Sequence, residues 1–157
     1  MGRVTGSAID ALPQGLDDNL GWLLGQACRA HGAVLERAVS DLPHGLRGFQ
    51  ALCGAVYGSA RNQAQLGRQL DIDRTVMVYL VDDLVAAGLV ERVVDPDDRR
   101  NKLIRGTEAG RKLLDKTKAA ILAAEAEVLA PLAPKEQDRF REMLRAVVAH
   151  NLVNSRM

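Results

Sequence analysis

Aromatic side chains are scarce in this 157-residue chain: Trp22, Phe49, Tyr57, Tyr79 and Phe140 amount to 3% of it, although 47% is hydrophobic. The apolar content therefore sits in Leu, Val and Ala, which favours helices packed on helices and implies a mainly α protein. Cysteine is equally rare. Cys28 and Cys53 are too few and too far apart for a zinc site, and they read as core thiols; oxidant sensing by one of them is the alternative. No uninterrupted apolar run reaches the length of a membrane span, and Met1 to Leu16, rich in Gly, Ser and Ala, lacks the apolar centre of a signal peptide. A cytoplasmic protein with no membrane partner is expected. The histidines, His31, His44 and His150, are scattered, with no nucleophile pattern, metal spacing or glycine-rich phosphate loop near them. That disfavours an enzyme and implies neither cofactor nor metal. A net charge of +1 decides nothing about nucleic acid, because a DNA-binding surface needs only a local basic patch.

What is present is helical periodicity with clear punctuation. Asp17 and Asp18 place negative charge at a helix start, and Leu20, Leu23, Leu24, Ala27, Val34, Leu35 and Ala38 then recur at helical spacing until Leu42-Pro43. Past the breaker Pro43-His44-Gly45, residues Leu46, Phe49, Leu52, Cys53 and Val56 mark a second helix that Gly58 ends. A third, short helix runs from about Asn62 to Leu70. After a tight turn, Asp73 caps a fourth whose inward face carries Met77, Leu80, Val81 and Leu84, with Gly88 closing it. The period then changes to that of a hairpin: Leu89 to Val94 is short and β-branched, Asp95 to Asn101 is a polar turn, and Lys102 to Arg105 returns. Thr107 caps a fifth helix with Gly110, Leu114, Thr117, Ile121, Ala124 and Val128 at coiled-coil spacing, a stripe that calls for a partner helix. Beyond Pro131 and Pro134 a last helix carries Phe140, Met143, Leu144, Val147 and Leu152 on one side.

The expected order is ααααββαα: mainly α with a small β-hairpin, a winged helix-turn-helix with dimerisation helices at both ends. It divides into a flexible arm (1–16), a first dimerisation helix (17–45), the winged helix-turn-helix core (46–106) and the C-terminal dimerisation helices (107–157). Two short helices joined by a tight turn, followed at once by a charged hairpin, can lay one helix in a major groove while the hairpin reaches backbone or minor groove. In that recognition helix Arg74, Thr75, Val78 and Tyr79 point away from the Met77, Leu80 and Leu84 stripe and are free to touch a groove. Tyr79 packed on the protein surface is the bland alternative. At the hairpin tip Asp97, Asp98, Arg99, Arg100 and Lys102 mix signs, which suggests a structured loop with Asp98 orienting a guanidinium and Arg100 entering the minor groove. Arg61, Asn62 and Gln63 are candidates for the DNA backbone. Asp82 and Asp83 make the recognition helix acidic, so its phosphate affinity must come from neighbouring cations such as Arg105 and those of the tip. The same acidic pair fits the rival reading, a winged-helix protein-interaction module without DNA binding.

The segment Leu66 to Thr107 resembles the multiple antibiotic resistance regulator (MarR) family. The likeness rests on Asp73-Arg74-Thr75, on Gly88-Leu89-Val90-Glu91-Arg92, and on Asp98-Arg99-Arg100 followed by Thr107 and Gly110. The resemblance implies a bacterial homodimer on double-stranded DNA that binds pseudopalindromic operators and represses nearby genes. It further implies release by a small, often aromatic ligand or by an oxidant. Trp22, Cys28, His31, Cys53 and Tyr57 lie on the helices that frame a ligand cleft in this family and are the candidate pocket residues. Departures from the family pattern are Tyr79, where a basic or small residue is common, Gly67 in place of Ala, and Gly106 in place of a frequent Leu.

Overall fold

A computed structural model describes residues 9–58 and 62–154. Its elements run α1 (Leu20–Ala38), α2 (Gly45–Tyr57), α3 (Gln63–Leu70), α4 (Arg74–Ala86), β1 (Val90–Val94), β2 (Lys102–Gly106), α5 (Glu108–Val128) and α6 (Pro134–Asn154). The order is the ααααββαα expected from periodicity. Among the described residues no helix is long and apolar enough to cross a membrane.

The helix ends follow local capping chemistry. The Asn62 side chain accepts from the Gln65 amide at 3.0 Å, and Asp73 accepts from the amides of Thr75 and Val76 at 2.8 and 3.3 Å. Each satisfies donors that a helix start leaves without partners. Gly88 closes α4 at φ 70°, a left-handed conformation open to glycine at no steric cost. Its amide and that of Leu89 return to the carbonyls of Val85 and Leu84, both at 2.9 Å. Thr107 then starts α5: its hydroxyl accepts from the Gly110 amide at 3.0 Å and donates to the Gly88 carbonyl at 2.6 Å.

The first helix departs from expectation. Asp17 accepts from the Gly15 amide within a turn, and the N-cap is Asn19, whose side chain accepts from the Trp22 amide at 2.8 Å. Nor does α1 reach Leu42; it ends at Ala38, and Val39 to His44 continue as turns that bury Val39 and Leu42.

The described residues form two compact units. In the unit spanning 32–124, α2, α3, α4 and the N-terminal part of α5 enclose one core, with Leu52, Leu66, Met77, Leu80, Val81, Leu84 and Leu114 fully buried. Each such side chain contributes roughly 1.5–3 kcal/mol relative to exposure. The strands pair antiparallel, Val90 with Gly106 through Val94 with Lys102; Val90 and Ile104 face the core, and Leu103 is buried as well. Gly106 presses on α2: a Cβ there would lie 2.3 Å from a Val56 methyl and 3.2 Å from the Val56 Cα. The space a larger residue would need is already taken by Val56, which accounts for glycine before Thr107.

The coiled-coil stripe of α5 is divided. Gly110, Leu114 and Thr117 are buried within this unit, so that half needs no partner helix, contrary to the expectation; Ile121 and Ala124 are half-buried. The other unit, 9–31 with 125–154, contains Val128, which is also half-buried. In that unit Glu136 caps α6 by accepting from the Ala133 amide at 2.7 Å. Gln137 fastens the preceding turn by donating to the carbonyls of Leu129 and Leu132. The apolar side chains of α6 lie largely open, among them Met143, Val147 and Leu152.

Candidate nucleic-acid interface

The helix expected to read the major groove is α4. Its core-facing residues recur at three and four positions, which leaves Arg74, Thr75, Val78 and Tyr79 together on the exposed face. Tyr79 is 64% exposed and makes no hydrogen bond among the described residues. Asp73 holds the first turn in place directly beside Arg74. The backbone amides of Thr75 and Val76 keep its carboxyl below the usual aspartate range by bonding to its charged form.

The tip of the wing is built by its own acids. Asp95 is buried; its amide donates to the Asn101 carbonyl at 3.0 Å and its carboxylate accepts from the Asp97 amide at 2.9 Å. Asp98 does not orient a guanidinium, as its position in the sequence suggested. Its oxygens accept from the Arg100 backbone amide at 3.0 Å and from the Asn101 side chain at 2.9 Å, fixing the loop itself. The side chains of Arg99, Arg100 and Lys102 are exposed, and neither they nor Arg74 form an ion pair or hydrogen bond among the described residues. Asn62, Gln63, Arg92, Arg100 and Lys102 border an open hollow of about 330 Å³ between the start of α3 and the wing. Arg61 lies outside the described residues.

The acidic pair of α4 is occupied. Asp82 pairs with Arg92 of β1, whose Nη2 also donates to Gln63 Oε1 at 3.3 Å, and Asp83 lies 2.7 Å from His44 Nε2. Sequence reasoning missed both partners. Arg92 was visible only as part of a motif, and His44 only as part of a chain breaker. Two acids on a helix otherwise suited to DNA were the signal that cations from elsewhere in the fold must meet them.

The candidate pocket residues fall in different units. In one, Trp22 is half-buried, His31 Nε2 is 3.5 Å from Glu125 Oε1, and Cys28 is exposed within its unit instead of forming a core thiol. In the other, Cys53 packs against the core, and burial pushes its thiol up against a smaller opposing pull from Lys118. That lowers its thiolate fraction and argues against oxidant chemistry there. The Tyr57 ring is exposed, with the Lys118 ammonium hydrogen-bonded to its hydroxyl and 4.3 Å from its centroid.

Comparison with known proteins places this arrangement. The family model described as MarR family matches residues 54–101, from the end of α2 through the wing tip. The repressor NicR of Pseudomonas putida is 30% identical over 107 residues, covering 68% of each chain. The crystal structure of CouR from Rhodococcus jostii bound to p-coumaroyl-CoA is 31% identical, with a TM-score of 0.68 over 86% of this chain and 95% of that one. A structure of the repressor CouR bound to a 23-mer DNA duplex is 25% identical, with a TM-score of 0.72 over 87% and 98%. Regulators of this kind bind DNA and are not known as enzymes. With the capped recognition helix, the cationic wing and a relative this similar over two thirds of its length, the chain belongs to the MarR family of winged helix-turn-helix transcriptional regulators.

Proposed function

We propose that the protein is a homodimeric repressor that reads a pseudopalindromic operator and leaves it when a small aromatic ligand binds. The observation that carries this reading is the shared exposure of Arg74, Thr75, Val78 and Tyr79 on α4, with Arg99, Arg100 and Lys102 at the wing unpartnered among the described residues. Such a pairing supplies base-edge contacts from the helix and phosphate or minor-groove contacts from the wing. Asn62 and Gln63 face the same hollow as Arg100 and are assigned to the DNA backbone. Support for dimerisation comes from the open apolar side chains of α6, which a second protomer would cover. Two regulators called CouR, one seen with p-coumaroyl-CoA and the other, of different sequence, with a DNA duplex, support ligand-controlled release. The protein acts in the cytoplasm and has no catalytic role. The interaction-module reading loses its main argument, since Asp82 and Asp83 are engaged by Arg92 and His44.

The test is fluorescence anisotropy with a labelled duplex from upstream of the protein's own gene, beside sedimentation at micromolar protein. Expected are a dimer and saturation at one dimer per duplex. A monomer, or no binding to any upstream fragment, removes the reading.

A further inference from the structure

Arg92 belongs to the wing, yet its guanidinium serves the helices. A single nitrogen, Nη2, donates to Oδ1 of Asp82 in α4 and to Oε1 of Gln63 in α3, so one side chain joins β1 to both members of the helix-turn-helix. Its side chain is 28% exposed and engaged, whereas those of Arg99, Arg100 and Lys102 form no ion pair or hydrogen bond among the described residues. An aspartate on a helix that approaches a polyanion works against binding unless it does something else, and Asp82 has that other task. We propose that Arg92 is a positioning residue for DNA recognition: by gripping Asp82 and Gln63 it sets the angle between wing and recognition helix, and it is not itself a phosphate contact. This rests on the DNA-binding reading above.

The rival role is concrete, because Arg92 also borders the hollow between α3 and the wing beside Arg100 and Lys102, where a phosphate would fit. The two roles predict opposite signs for Asp82→Asn. As a mere repulsive charge, Asp82 removed would tighten binding. As the anchor of Arg92, its loss frees the wing and weakens binding.

The experiment uses the full-length protein and the duplex that wild type binds, with Arg92→Gln, Arg92→Lys, Asp82→Asn and the Arg92→Gln/Asp82→Asn double variant. Thermal melts accompany each to establish that it is folded. A half-exposed pair of this kind predicts that Arg92→Gln and Asp82→Asn each weaken DNA binding about fivefold. The double variant should be no weaker than either single one, since both remove the same link. Arg92→Lys should weaken binding as well, because lysine lacks the planar fork, whereas a phosphate contact would tolerate the exchange. The salt dependence of the Arg92→Gln variant should parallel wild type. Tighter or unchanged binding by Asp82→Asn overturns the proposal, as does a shallower salt dependence in Arg92→Gln. Failure of wild type itself to bind any duplex is distinguishable from these, and it removes the DNA reading and this inference together.

Discussion

The steepness of the salt dependence of operator binding can be worked out from the wing and α4. Each protomer presents Arg74, Arg99, Arg100 and Lys102 without partners among the described residues, and a symmetric dimer doubles that set. If all of them displace counterions, the plot of log affinity against log salt has a slope of about −7, since each neutralised phosphate contributes about −0.9. Between about 50 and 200 mM salt, affinity then falls about ten-thousand-fold. Arg100→Ala removes one cation per protomer, so the slope should become shallower by about 2 and the affinity drop by roughly 1–3 kcal/mol. Cations already engaged, such as Arg92 with Asp82, are left out of the sum because they release no counterions on binding. The assay is anisotropy over a salt series with wild type and Arg100→Ala side by side. A wild-type slope near zero, or two variants that superimpose, would refute the count and the role given to the wing.

Two further outcomes follow from the geometry. Gly106→Ala sets a methyl against the Val56 side chain and the backbone of α2, an overpacking that costs roughly 1–3 kcal/mol and lowers Tm by about 3–10 °C. Gly32→Ala, on an exposed helix position with no atom within 4 Å of the new carbon, should instead leave Tm unchanged or raise it, and equal losses in calorimetry would count against this packing argument. At Asp73 the native carboxyl is held below its usual range, so the stability it gives is complete above the unfolded value and is lost only as pH falls through the depressed native one. Hydrogen exchange of the Thr75 and Val76 amides from about pH 7 to about pH 2 should show late loss of protection in wild type. Early exposure is expected in Asp73→Ala and no acid transition in Asp73→Asn; an Ala variant as protected as wild type would deny Asp73 its capping role.

The features legible in the sequence are those written within a few residues of one another. Asn62, Asp73, Gly88 and Thr107 mark element ends because each satisfies backbone groups two to four positions away, a reach that spacing alone reveals. Asn19 escaped notice beside two acids because charge near a helix start is a weaker guide than a side chain placed to accept from the first turn. The partners of Asp82 and Asp83 were hidden for a different reason: His44 and Arg92 come from other elements, and only the closed core brings them within reach. The α5 stripe misled because periodicity tells which residues share a face, not whether the surface opposite belongs to the same chain. Its first half meets its own core.

At the stem of the wing, the Thr107 amide bonds the Leu89 carbonyl at 3.0 Å while its hydroxyl bonds Gly88. The chain thus leaves and returns at one fastened point, and beyond the packed base of the hairpin its tip is a detour whose length the helices do not register. Residues at the far end, around Arg99 and Arg100, can be exchanged, added or removed without shifting α4 against α5. A lineage of such proteins can therefore alter what its wings touch on DNA while inheriting the rest of the reading head unchanged.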